Sequence, residues 1–176
     1  MPRPTPPSPP ALPAAARRAP AQRPAAEVGD WLALDRQLCF ALYAASLAMT
    51  KAYKPLLAPL GLTYPQYLVM LVLWEGDGIS VSALGDRLTL DSGTLTPLLK
   101  RLQALGLLLR LRDTADERRV LLRLSPAGRR LQAQARAVPQ ALACAIACDL
   151  QQIQQLTAQL TAVRQQLSAT PPQAAA

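Results

Sequence analysis

The chain has 176 residues, about half of them hydrophobic but only 4% aromatic. Leu and Ala carry the apolar content, which favours a helical domain of ordinary size over a β-sandwich. Lys and Arg outnumber Asp and Glu by 19 to 11, giving a net charge of +8 that suits a polyanion such as nucleic acid, although a solvated basic surface would carry the same excess. The absence of His removes His-ligated metals, His general bases and Ser–His or Cys–His catalytic pairs, and neither a metal nor a cofactor is expected.

The three cysteines, Cys39, Cys144 and Cys148, lack CxxC spacing and match neither a secreted disulfide framework nor a zinc site. No apolar run reaches a membrane span, and the N-terminus lacks a signal-peptide pattern. A reducing, cytoplasmic setting without membrane association is therefore expected.

In chain order, residues 1–28 are dominated by Pro and Ala with scattered Arg, too poor in buriable surface to offset the entropy of ordering, and read as a disordered tail. From Trp31 the pattern changes. Leu34, Leu38, Leu42, Ala45 and Met49 recur at helical spacing and predict a helix over about 31–54, limited by Pro55 and Pro59. Thr63 and Pro65 open a second, mostly apolar and therefore buried helix over 64–75.

Ser80–Leu88 is a short amphipathic helix, and after the connection TLDS a further helix runs from Gly93 to Leu105, ended by Gly106. Two short helices joined by a tight turn, the second bearing Ser92, Thr94, Thr96, Lys100 and Arg101, read as a helix-turn-helix. Asp91 or Ser92 can cap the second helix, whose first N–H groups can also receive a phosphate. Short hydroxyls near its start suit base edges or backbone, and Lys100 and Arg101 suit phosphates, although an ordinary solvent-facing helix would look the same.

Strand-like segments at about 107–112 and 119–124 flank the polar tip DTADERR, predicting a projecting hairpin. Arg118 at this tip can enter a minor groove with Asp116 orienting it, or the two can form a simple surface pair. Residues 80–130 hold ten basic against five acidic residues, so this window carries much of the excess charge. A helix from Ser125 to about Ala137, interrupted by Pro139, leads to a last helix over about 140–168. There Leu150, Ile153, Leu156, Leu160, Val163 and Leu167 form a narrow apolar seam that calls for a partner helix, a second copy of the chain included. Residues 169–176 read as a frayed tail.

The segments QLCFALYAAS (37–46), MTKAYKPLL (49–57), LTYPQYLVMLVLWE (62–75), LDSGTLTPLLKRL (90–102) and DERRV (116–120), in this order, resemble the MarR family of winged-helix repressors. More narrowly the chain looks like the two-cysteine organic hydroperoxide resistance regulators, a likeness that spans about 32–168. The resemblance implies a mainly α (α+β) fold over 29–168, with a winged helix-turn-helix at about 56–126 and dimerisation helices at about 31–54 and 126–168. It also implies a homodimer on a pseudo-palindromic double-stranded operator, and no enzymatic role.

On its own residues, Cys39 reads as a small buried hydrophobe or as a sensing thiol. The resemblance makes it the peroxidatic residue, with Tyr53 and Tyr64 donating to it from the other subunit and Tyr43 a nearby same-chain tyrosine. Tyr67 is left to packing. It further implies that Cys144 resolves the oxidised Cys39 across the dimer, with Cys148 a bystander or backup, and that an organic hydroperoxide is the signal. A repressor released by a small aromatic ligand, a thiol peroxidase and a non-specific architectural binder remain alternatives.

Overall fold

The computed structural model describes residues 32–114, 116, 118–146 and 149–169. The proposed N-terminal tail, Trp31, Glu117 at the hairpin tip, Cys148 and residues 170–176 lie outside them. The chain divides into a unit ending at Ala41 and a unit beginning at Leu42. In the first, a 3-10 turn at Leu34–Arg36 precedes the opening residues of helix α1 (Leu38–Leu57). The helix thus begins later than its apolar spacing predicts.

The second unit takes up α1 at Leu42. Pro55 does not end this helix, because Leu57 beyond it is fully buried and holds the last turn against the core. A 3-10 turn at Ala58–Leu60 leads to α2 (Tyr64–Glu75), where the Thr63 N–H donates to Gln66 Oε1 at 2.8 Å in a capping box. Tyr67, Val69, Met70 and Leu73 are essentially inaccessible, so α2 is the central helix that its lack of a polar face predicts.

A strand that the sequence pattern did not reveal, β1 (Ile79–Ser80), precedes α3 (Val81–Leu88), which Ser80 caps by accepting from the Ala83 N–H. Helix α4 (Ser92–Ala104) follows, with Asp91 as its N-cap. Strands β2 (Leu108–Arg112) and β3 (Val120–Leu124) pair antiparallel from Leu108↔Leu124 to Arg112↔Val120. β1 adds on the other side of β3, giving the order β1-β3-β2. Helix α5 (Pro126–Ala135) starts from the Ser125 cap. A turn at Arg136 and Ala137 separates it from α6 (Val138–Ile146), and α7 (Leu150–Ala169) follows. The predicted last helix over 140–168 is therefore two helices, and Pro139 sits in the first turn of α6, where its missing N–H costs nothing.

The core lies where α2, α3, α4 and the sheet meet. Leu84, Leu95, Leu99, Leu102, Leu108 and Leu122 are buried to 1% exposure or less, each stabilising the unit by about 1.5–3 kcal/mol relative to exposure. Leu95, Leu99 and Leu102, spaced 4 and 3 apart, fix which face of α4 turns inward and leave its polar residues outside. Among the described residues no single helix is long and apolar enough to cross a membrane.

Candidate nucleic-acid interface and thiol site

The outward face of α4 begins with Asp91. Its carboxylate accepts from the Thr94 N–H at 2.9 Å and from Thr94 Oγ1 at 2.8 Å, and these bonds hold the Asp91 carboxyl below its usual titration range. The Thr94 amide in the first turn is thus already taken by a side-chain anion. Thr96 donates its hydroxyl to the Ser92 carbonyl at 2.7 Å. Both threonine hydroxyls thus donate to partners three or four residues back in the chain. Ser92, Thr94, Lys100 and Arg101 are exposed and Thr96 is partly so, giving one polar face with the two cations towards its C-terminal half.

At the hairpin tip, Asp116 Oδ1 accepts from the Arg118 backbone N–H at 3.0 Å, and the Asp116 carbonyl accepts from the Arg119 N–H at 2.9 Å. Asp113 closes the base of the turn through its N–H to the Arg119 carbonyl. Asp116 therefore shapes the loop that presents Arg118, and the contact that does so is with the main chain rather than the guanidinium. Arg118 is exposed.

Cys39, in the first unit, is exposed, as is Cys144 on α6. Within the second unit, Tyr53 and Tyr64 stack with ring centroids 4.5 Å apart, and Tyr67 tilts against Tyr53 at 5.7 Å. Tyr43 is exposed and stands outside this cluster. Burial, reinforced by Tyr64 and Tyr67, pushes the Tyr53 phenol up to about 12, and burial also raises Tyr64 and Tyr67. These phenols stay protonated at any physiological pH. Beside them a cleft of about 430 Å³ is walled by Ala58, Leu62, Tyr64 and Pro65, with Lys51 and Lys54 among its lining.

Residues 51–134 match the family model described as transcriptional regulator SarA/Rot. The chain is 49% identical over 140 residues to the transcriptional regulator TtmR of Methylorubrum extorquens, covering 80% of this chain and 72% of that protein. It is 52% identical over 110 residues to the organic hydroperoxide resistance transcriptional regulator of Bacillus subtilis, covering 62% and 75% respectively. Reduced AbfR of Staphylococcus epidermidis, solved bound to DNA, superposes with a TM-score of 0.64 at 33% identity over 79% of this chain and 98% of that one. The chain belongs to the MarR/SarA family of winged-helix regulators.

In this winged-helix regulator the hairpin β2–β3 is the wing, and α3–α4 is the helix-turn-helix whose second helix carries the exposed polar face. Three residues that shape this scaffold stand out from no sequence pattern. Thr89, in the turn, adopts the left-handed conformation (φ 56°, ψ 43°) that a β-branched residue rarely takes. Asp77 and Gly128, at the wing's base, carry contacts between elements 47 to 54 residues apart. For Gly128 the only sequence signal was a small residue in the first turn of a helix.

Proposed function

We propose that the regulator is a homodimeric DNA-binding repressor that senses organic hydroperoxides through Cys39 and lets go of its operator when Cys39 is joined to Cys144 of the partner subunit. The observation that carries the DNA reading is the common exposure of the α4 polar face and the arginine-bearing wing tip, on a scaffold one-third identical to reduced AbfR bound to DNA. In a two-fold dimer, the two α4 helices enter successive major grooves with half-sites about one helical turn apart. Lys100 and Arg101 hold phosphates, Ser92, Thr94 and Thr96 face the groove, and Arg118 enters the flanking minor groove.

The 52% identity to a regulator named for organic hydroperoxide resistance supports the signal. So do an exposed Cys39, a phenol pair that stays protonated, and an apolar-walled cleft suited to an alkyl group. The Cys39 thiolate attacks the peroxide. An S–O bond forms as the O–O bond breaks, the thiol is oxidised to sulfenic acid, and the peroxide leaves reduced as an alcohol that takes up the proton. The thiol of Cys144 of the partner subunit then attacks that sulfur, forming the S–S bond and expelling water.

Replacing Cys39 by Ser is expected to leave operator binding intact and abolish release by cumene hydroperoxide in a mobility-shift assay. A Cys39→Ser protein that still releases on peroxide overturns the sensor assignment. After oxidation, non-reducing electrophoresis is expected to show a covalent dimer that Cys144→Ser removes and Cys148→Ser retains; the reverse result transfers the resolving role to Cys148.

A further inference from the structure

Strand β1 has only two residues, and its register on β3 pairs Ile79 with Leu122 and Ser80 with Leu121. Continued backwards, the same register sets Gly78 opposite Arg123 and Asp77 opposite Leu124. The Gly78 N–H still donates to the Leu122 carbonyl at 3.0 Å. The next rung is supplied by a side chain, with Asp77 Oδ1 accepting from the Leu124 N–H at 2.8 Å. The second oxygen of the same carboxylate, Oδ2, takes the guanidinium of Arg129 on α5 at 2.5 Å.

Between Leu124 and α5 stands a single residue, Ser125, in extended conformation (φ −73°, ψ 168°), a natural pivot between wing and helix. Asp77 is anchored on neither β3 nor α5, and it grips both sides of that pivot from the α2–β1 segment. The surroundings close the joint further. Trp74 Nε1 donates to the Gly128 carbonyl at 2.9 Å, and Ser125 Oγ donates to the Gly106 carbonyl at 2.5 Å.

We propose that Asp77 is a positioning residue that locks the wing to α5, so that any displacement of α5 reaches the wing as rotation of one body. The proposal rests on the DNA-binding reading for its consequence, though not for its geometry. An ion pair with 60% of the arginine side chain exposed contributes little stability of its own. Its angular constraint across a one-residue pivot is a different matter, because the wing and α4 must sit in adjacent grooves together.

The test uses the full chain with Asp77→Asn, which keeps an acceptor for Leu124 but loses the charge, with Arg129→Gln, and with the double variant. Anisotropy titration of the reduced proteins on a palindromic operator duplex is expected to show each single variant weakened roughly two- to thirty-fold. The double variant is expected to be no worse than either single, with binding to a scrambled duplex unchanged. Equal losses on both duplexes, or fully additive losses in the double variant, overturn the proposal.

A second arm needs no DNA. Amide exchange at Leu124, in β3, is expected to quicken in Arg129→Gln, on α5, and to show no further increase when that change is added to Asp77→Asn. Independent effects there overturn the lock. Failure of the wild-type protein to distinguish the two duplexes would overturn the DNA reading instead, with the exchange arm still deciding the lock.

Discussion

Gly128 shows how much one missing side-chain atom decides. A Cβ placed there would lie 2.1 Å from the Leu107 carbonyl oxygen, which is backbone and cannot swing aside. The Gly128 N–H meanwhile caps on Ser125 Oγ at 3.0 Å, and its carbonyl receives Trp74. Gly128→Ala is therefore expected to destabilise the fold by on the order of 3 kcal/mol, read as a lower urea midpoint at unchanged slope. The same substitution at Gly76, where nothing lies within 4 Å, is a fair control.

Tyr53 makes a prediction in pH. Its folded pKa is raised from 10.0 to about 12, burial being the largest cause. Below pH 10 both folded and unfolded forms are protonated and the contribution to stability is fully present. Above that the unfolded chain loses its proton first, so stability falls as pH rises from 10 to about 12. Alkaline unfolding followed by circular dichroism is expected to be shallower in Tyr53→Phe across that window.

At the level of elements, the proposed recognition divides between helix α4 and the wing by charge and shape. The two cations of α4 follow Leu99 directly in sequence, and the buried Leu95, Leu99 and Leu102 orient the helix so that Lys100 and Arg101 are thrown outward. Removing either by substitution with Ala is expected to weaken binding on every sequence alike and to lower the slope of log affinity against log salt by about one. Arg118→Ala is instead expected to weaken binding most on duplexes with A·T-rich flanks, where the minor groove is narrow. Competition titrations on two flanking sequences separate these behaviours.

The ends of these elements were readable because they rest on local chemistry: Ser125 and Pro126 for α5, Thr63 and Pro65 for α2, and Gly106 (φ 70°) after α4. Pro55 misleads as a helix terminator because local chemistry is overruled there by the burial of Leu57. Strand β1 is invisible for a related reason. Two residues carry no periodicity, and they are a strand only because β3 lies alongside them.

For the whole molecule, the seam on α7 bears on assembly. Leu156, Leu160 and Leu167 are 55%, 40% and 69% exposed within one chain, on a helix otherwise rich in Gln. A second copy packing along this stripe would remove it from water, as the proposed homodimer requires. Leu160→Glu is expected to shift the protein from dimer to monomer in sedimentation experiments and to cost operator affinity even with α4 untouched. An unchanged dimer would mean that association lies elsewhere on the surface.

By itself the sequence determined the order of helix, helix-turn-helix, wing and terminal helices, where most of them begin, and how basic the 80–130 window is. Those are properties of spacing, capping and composition, and each is decided within a few residues along the chain. Only the tertiary structure decided that Tyr53 and Tyr64 stack while Tyr43 stands apart, that Trp74 donates to the Gly128 carbonyl, and that Asp77 bridges the wing and α5. Such contacts join positions far apart in sequence, and their free energy depends on distance and burial that no local pattern encodes.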